Sequence, residues 1–362
     1  ALSISPYITA QIVIQLLTIA IPALERMAKE GDEGRKKLSQ ITRYVTVALA
    51  LLTAYGYYTY IKNTAGMAIQ HDGVNQHFAA AVIIACYCAG AAIIMWLAEK
   101  INEKGIGNGI SIILLANIVS RVPNNIIVAG RNLFTDFKLT TLIVDLLLIV
   151  IAVATVLFVV HMSDAERRVP VQYAKRQVGR RMYGGQSTYL PLKLNMTGVM
   201  PIIFASSIVT LPSTIGLMVG KDATSGGFWG GFLKLFSYTS PLYSILFFVL
   251  IIAFAYFYIS ISFNPIEVAN NLKKNGGSIL GIRPGKPTSD YIARILSRIT
   301  LIGAIFLGII AVLPIVLTMI DQSFGSLAFA GSSIIIVVGV IVETQTEIET
   351  QMSMRHYKGF LE

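Results

Sequence analysis

Between Lys234 and Glu267 the chain runs through residues 235–266 without a single Asp, Glu, Lys or Arg. A helix crossing about 30 Å of hydrocarbon needs about 20 such apolar residues, and soluble helices rarely sustain them. The pattern recurs along the chain, with charge-free windows at 1–24, 44–61, 73–98, 105–120, 146–163, 194–220, 299–320 and 322–342. Allowing two windows to extend across Arg121 and Asp145, nine spans follow, near 6–24, 44–61, 77–98, 109–128, 139–161, 195–218, 242–262, 299–320 and 329–347. Composition agrees: 54% of residues are hydrophobic and 13% charged, against about 25% charged in soluble domains. Soluble globule, disordered chain, coiled coil and disulfide scaffold are excluded. The sequence predicts an all-α polytopic membrane protein with nine transmembrane helices.

Basic residues orient these spans. Segment 25–43 holds six Lys/Arg, 99–108 two, 163–193 seven, 264–298 six and the tail two, so 23 of 29 bases fall in five segments. Two spans separate each neighbouring pair of segments, which puts all five on one face, the cytoplasmic one by the positive-inside rule. The C-terminus is then cytoplasmic and Ala1 outside. No basic n-region, cleavage site or initiating Met lies in residues 1–6, and the expectation is ten spans in the intact protein, the first missing here.

Chemistry is sparse. Cys86 and Cys88 lie two apart in one span, on different helix faces, and read as buried reduced thiols. His71, His77, His161 and His356 are dispersed, and no H-E-x-x-H, P-loop or G-x-S-x-G occurs. No catalytic residue, metal site or cofactor is expected, and the chain does not read as an enzyme. Coupled carriers place ionisable groups near mid-bilayer. Here only Asp145 qualifies as a candidate, and it lies about two turns from its span's outer end, where it reads as an interfacial carboxylate near Lys138. Polar span residues such as Gln11, Thr18, Thr53, Asn117, Asn195 and Ser207 are uncharged. A passive conduit fits better than the alternative, an ion-coupled small-solute secondary transporter.

The loops at 163–193 and 264–298 exceed the length of simple connectors. Pro, paired Gly and alternating Val/Ile suggest β-hairpins with basic tips in both. Such loops are suited to docking an acidic protein surface or structured RNA.

Particular stretches then carry a resemblance. RRVPVQYAKRQVGRR (167–181), STYLPLKLNMTGVMPIIFASSI (187–208), NPIEVANNLKKNGGSILGIRPGKPT (264–288) and RHYKGF (355–360) are similar to the bacterial SecY family, pore subunits of the Sec protein-translocation channel. SPYITAQIVIQLL (5–17) and GIGNGISII (105–113) match too, so the likeness covers essentially the whole chain, less the family's first span and plug segment.

What the resemblance implies is a protein-conducting channel in the bacterial plasma membrane. It would translocate unfolded preproteins and release hydrophobic segments sideways into the lipid bilayer. Two pseudo-symmetric halves would surround a central pore: 1–138, incomplete and holding spans 2–5, and 139–362, holding spans 6–10, the basic loops and a tail at 348–362. By motif, an aliphatic pore ring falls on Ile8, Ile12, Leu114, Ile118, Ile203 and Ile336. Residues four apart share a helix face, so the first two pairs can each point at one axis. A lateral gate between spans 6–24 and 195–218 would use Thr18, Thr53, Asn195 and Ser207, Thr53 standing where relatives often carry a longer Gln or Glu. Docking of the motor ATPase SecA or the ribosome falls on Lys175, Arg176, Arg180, Arg181, Arg283, Lys286, Arg355 and Tyr357. SecE and SecG are the membrane partners the resemblance implies.

Overall fold

The structure, a computed structural model, describes residues 2–64, 76–121, 123, 139–173, 176–178, 181–183, 187–219, 228–238, 240–320 and 325–358. Helices dominate: α1 (Ser5–Ala20), α2 (Pro22–Lys29), α3 (Asp32–Thr64), α4 (Gln76–Lys104), α5 (Gly109–Val119), α6 (Leu139–Asp164), α7 (Met200–Val219), α8 (Phe228–Leu235), α9 (Pro241–Ser262), α10 (Pro265–Lys274), α11 (Lys286–Ile320) and α12 (Gly325–Lys358). Five strands interrupt them: β1 (Glu166–Tyr173), β2 (Arg176–Val178), β3 (Arg181–Tyr183), β4 (Ser187–Lys193) and β5 (Gly277–Ile279). The all-α expectation is therefore corrected to a helical protein carrying a small sheet.

Proline sets the first departure from the expected spans. Pro22 has no N–H to continue the helix and pushes the residue before it out of the α region. Ile21 accordingly sits at φ −109°, ψ 113°, and α2 leaves α1 at 102°. The expected span 6–24 is thus a helix to Ala20 and then a sharp corner. At the other side of this corner Gly31 takes φ +77°, and Gly34 lets α3 pass the end of α2. A Cβ at Gly34 would stand 1.7 Å from the Met27 carbonyl oxygen.

Two further boundaries differ. Helix α5 ends at Val119, short of the expected 128, with residues 122 and 124–128 of that span outside the described residues. Residues 194–199 form turns, so α7 starts at Met200 and Asn195 precedes the helix rather than lying in it. Among the described residues three helical stretches are long and apolar enough to cross a membrane: His77–Lys104, Pro241–Lys274 and Lys286–Met319. The bent α1–α2 pair makes a fourth if counted as one span, and Gly109–Val119, Val153–Asp164 and Met200–Gly216 are shorter apolar helices.

The helices share one apolar core. Ile8 and Ile12 of α1, Met95 and Ala98 of α4, Ile110 of α5, Ile203 and Val209 of α7, Phe247 and Ile251 of α9, Leu307 and Ile310 of α11, and Ile335 and Val338 of α12 are all buried in it. Small residues bring backbones close: a Cβ on Gly308 would meet the Phe248 ring at 2.6 Å, tying α11 to α9. The α4–α5 corner is equally tight. Asn108 caps α5 by accepting from the Ile110 N–H at 3.0 Å, Asn102 accepts from the Gly109 N–H at 2.7 Å, and a Cβ on Gly109 would lie 2.1 Å from the Ala98 oxygen. By contrast α4 packs on one side only, which leaves Cys86 exposed and Cys88 half-buried, a correction to the buried-thiol reading.

A second core lies within the two long loops. Strand β1 pairs antiparallel with β4, from Glu166↔Lys193 to Gln172↔Ser187, and β2 pairs with β3, so 163–193 forms the hairpin its pattern suggested. The other loop does not. Asn264 caps α10, accepting from the N–H groups of Ile266 and Glu267 with Pro265 at the first turn, and α11 already begins at Lys286. Between them β5 adds to the other edge of β1, with Val171↔Ile279, Gln172↔Ser278 and Tyr173↔Gly277. The sheet order is β4-β1-β5. Pro170 sits one residue beyond β5, where its missing N–H costs no bond in that ladder. Alternation along β1 buries Val169 and Val171 against Leu192, Ile279, Leu272 of α10, and Ile292 and Leu296 of α11. Both long loops are therefore halves of one folded unit.

Candidate pore, gate and docking surface

The six aliphatic positions expected at the pore fall on four helices: Ile8 and Ile12 on α1, Leu114 and Ile118 on α5, Ile203 on α7 and Ile336 on α12. Ile8, Ile12 and Ile203 are 5%, 3% and 3% exposed and belong to the main core, with Leu114 and Ile336 packed against it. Ile118 is half-buried and lies outside that cluster. Helix α1 touches α7, and α5 touches α12. The Asn117 amide donates to the Ser3 hydroxyl at 3.4 Å, linking α5 to the start of α1. Local sequence explains the placement: Ile8 and Ile12 lie one turn apart on the same face of α1 and are buried, while Val13 and Leu17 stay exposed.

The polar residues expected at the gate are each satisfied locally. Thr18 donates to the Ile14 carbonyl at 2.8 Å, Thr53 to Leu49 at 2.8 Å, and Ser207 to Ile203 at 2.9 Å. Asn195 accepts from Thr197 at 3.4 Å, within its own turn. Thr53 and Thr214 nevertheless face one cavity of about 180 Å³, walled also by Ser5, Pro6, Gly56 and Tyr57, where α1, α3 and α7 meet. Sequence reading did not anticipate Thr214 or Gly56 there. Gly56, one turn from Thr53, leaves the space that a side chain would fill.

Among the positions expected to dock a partner, Arg283 is exposed between Gly281 at φ +77° and Gly285 at φ +106°. Both conformations favour glycine. The buried Thr288 hydroxyl donates to the Arg283 carbonyl at 2.8 Å, and the N–H groups of Thr288 and Ser289 donate to Gly285 at 3.1 Å. Lys286 is exposed at the first position of α11. Arg176 and Arg181 lie on paired strands β2 and β3, and Arg355 and Tyr357 on the last turns of α12, with their side chains outside the described residues. Lys175 and Arg180 lie wholly outside them.

A third cluster was not anticipated. At the end of α4, Glu99 receives Arg43 at 2.8 Å and Ser39 at 3.4 Å, while Lys100 pairs with Glu103 at 2.6 Å. The hydrogen bond from Lys100 and its charge hold the Glu103 carboxyl below the usual range, and the hydrogen bond to Glu99 raises the Arg43 guanidinium. The contact spans α3 and α4, so spacing along the chain gave no sign of it. Among the described residues no three His, Cys, Asp or Glu side chains gather as a metal site.

Comparison with known proteins bears on this arrangement as a whole. The SecY family model matches residues 1–345. The protein translocase subunit SecY of Mycobacterium bovis is 42% identical over 373 residues, covering 100% of this chain and 82% of that one. A solved SecY channel, studied for how its plug domain stabilises the closed state, aligns with TM-score 0.69 at 18% identity over 97% of this chain and 82% of its own. Sec61 in the canine ribosome–channel complex aligns with TM-score 0.63 at 16% identity, over 97% and 81%. With a matching family model over nearly its full length, and a translocase subunit that similar from end to end, the chain belongs to the SecY family.

Proposed function

We propose that this chain is the central subunit of a protein-conducting channel, which moves unfolded preproteins across the plasma membrane and lets hydrophobic segments leave sideways. The observation that carries this reading is the 42% identity to a protein translocase subunit SecY across the entire chain. In this reading nine helices cross the bilayer, with the basic loops and the C-terminus on the cytoplasmic face. Residues 1–138 and 139–362 form two pseudo-symmetric halves about the pore. Ile8, Ile12, Leu114, Ile118, Ile203 and Ile336 line its constriction, where branched apolar side chains dewet a narrow passage and hold back ions. Five of these six lie in or against one apolar cluster, which supports a shared axis.

The gate lies between α1 and α7, beside the cavity lined by Thr53 and Thr214. Thr18, Asn195 and Ser207 contribute modest polarity there, with their hydrogen bonds made inside their own segments. SecA and the ribosome dock on the sheet unit and its neighbours, through Lys175, Arg176, Arg180, Arg181, Arg283, Lys286, Arg355 and Tyr357. A solved neighbour of this fold is itself a ribosome–channel complex, in line with the second partner. SecE and SecG accompany the chain in the bilayer, and the chain itself performs no catalysis and takes no cofactor.

Reconstitution tests this. Proteoliposomes holding the chain with SecE and SecG are expected to take up a preprotein when SecA and ATP are supplied. Uptake of a small solute driven by an ion gradient alone, without preprotein transport, would instead make it a secondary carrier.

A further inference from the structure

Residues 228–247 carry a series of touching aromatic rings. Trp229 meets Phe232 at 6.3 Å between centroids, Phe232 meets Phe236 at 5.0 Å, Tyr238 meets Tyr243 at 5.4 Å, and Tyr243 meets Phe247 at 6.1 Å. Helix α8 supplies the first of these. At about 100° per residue, its inward flank carries Leu233, 5% exposed, and the buried Gly230. The adjoining flank carries Trp229, Phe232, Phe236 and Leu235. Trp229 and Leu235 are 41% and 50% exposed and Phe232 and Phe236 half-buried, so the described residues leave much of this flank uncovered. The only charge on the helix, Lys234, leaves on the far side, and no other charged residue occurs from 223 to 266.

The depth of this flank follows from its neighbour. Helix α9 has 22 residues, a rise of about 33 Å against about 30 Å of hydrocarbon. Its first turn, which holds Tyr243, therefore stands at the hydrocarbon boundary, and the ring contact with Tyr238 holds the end of α8 at that level. Helix α8 also packs against both α7 and α9. Burial, with Tyr243 adding to it, pushes the Tyr238 phenol up to about 12, in keeping with a ring set at an apolar boundary.

We propose that α8 is an interfacial anchor: a short amphipathic helix lying in the headgroup region of the leaflet opposite the basic loops, its uncovered aromatic flank turned to lipid. Tryptophan and tyrosine favour that zone because one part of the ring is apolar and the other hydrogen-bonds water. A helix with an apolar flank, few charges and a single lysine opposite fits a zwitterionic lipid surface rather than an acidic protein. By joining α7 to α9 at this depth, it fixes how far both helices sit in the bilayer.

The chain has only two tryptophans, Trp96 and Trp229, which gives a direct test. In the full chain carrying Trp96→Phe, reconstituted into phosphatidylcholine vesicles, all tryptophan emission comes from Trp229. Lipids brominated near the headgroup end of the acyl chain are expected to quench it about twofold more than lipids brominated near its end, with iodide in the water having little effect. Trp96→Leu serves in the same way should the first variant not reconstitute. Quenching by iodide without quenching by brominated lipid would place α8 in water. Protection from both quenchers would mean that a protein surface covers the flank, and stronger quenching from the deep position would mean a buried helix. Any of these three results overturns the anchor.

Discussion

The Thr288 side chain, 2% exposed, donates its hydroxyl proton to the main-chain carbonyl of Arg283 at 2.8 Å. This bond closes the GIRPG turn from inside, so the guanidinium projects from a fixed backbone rather than a loose loop. A buried hydroxyl also has little else to bond, and leaving either partner unpaired costs about 1–3 kcal/mol.

Arg283→Glu is expected to nearly abolish SecA-driven preprotein transport, and Arg283→Lys to weaken it, because lysine lacks the planar two-donor fork. Channel abundance in the membrane should stay normal in both. Thr288→Val, which keeps the volume and deletes the donor, should weaken transport less than Arg283→Glu by loosening the turn. Transport assays at matched channel levels measure this, and normal transport by Arg283→Glu would reduce the loop's basicity to a topological signal.

For the proposed constriction, replacing Ile8, Ile12 and Ile203 with Ser should raise resting ion conductance several-fold in planar bilayers. Hydroxyls keep a narrow passage wet where isoleucine dries it. Unchanged conductance would remove these positions from the pore and leave them as ordinary core, which their burial also permits.

Two glycines make a paired stability test. Gly34→Ala would put a Cβ 1.7 Å from the Met27 oxygen, whereas a Cβ on Gly90 meets nothing within 4 Å. The first variant should lose about 1–3 kcal/mol as α2 and α3 are forced apart. The second, inside helix α4, should be neutral or gain up to about 1 kcal/mol. Thermal unfolding in detergent measures both, and equal melting temperatures would contradict the close α2–α3 approach.

Tyr238 gives a pH prediction. Its phenol is pushed up to about 12 by burial and by Tyr243, while in the unfolded chain it ionises near about 10. The folded state thus favours the neutral ring, and that share of stability is complete below about pH 10 and is lost as pH rises toward about 12. Absorbance titration at 295 nm should show a step near pH 12 that vanishes in Tyr238→Phe. A step near pH 10 instead would mean that the ring is solvated.

Much of the architecture was legible because charge-free runs report directly on the bilayer. A helix overlaps each expected span, and among the described residues three of these helical stretches are long and apolar enough to cross a membrane. The misses have local causes. Pro22 ended α1 four residues early because it both lacks an N–H and constrains Ile21. Asn264–Pro265, with Glu267 following and Lys273–Lys274 closing, is a complete set of helix-end signals, but the paired glycines at 276–277 are an equally strong turn signal. The register of β5 on β1 was beyond reach, since three residues pair with a partner over a hundred positions away. Likewise the Arg43–Glu99 pair depends on how α3 and α4 lie together, and Thr214 reached the cavity beside Thr53 through a packing that no spacing encodes. The expected pore and docking positions rest on motif rather than periodicity, because isoleucine and arginine are common in such spans and loops.

Strand β5 has a mechanical consequence. Strand β1 continues from α6, β4 leads into α7, β5 follows α9 through α10, and α11 starts just beyond it. Four helices are thus riveted together at one end by a three-stranded plate with its own apolar filling. A load applied to either loop would be shared among all four helices through this plate. Shear among α6, α7, α9 and α11 is resisted at that end, so yielding is directed to the seams where α7 meets α1 and α3, and where α12 meets α5.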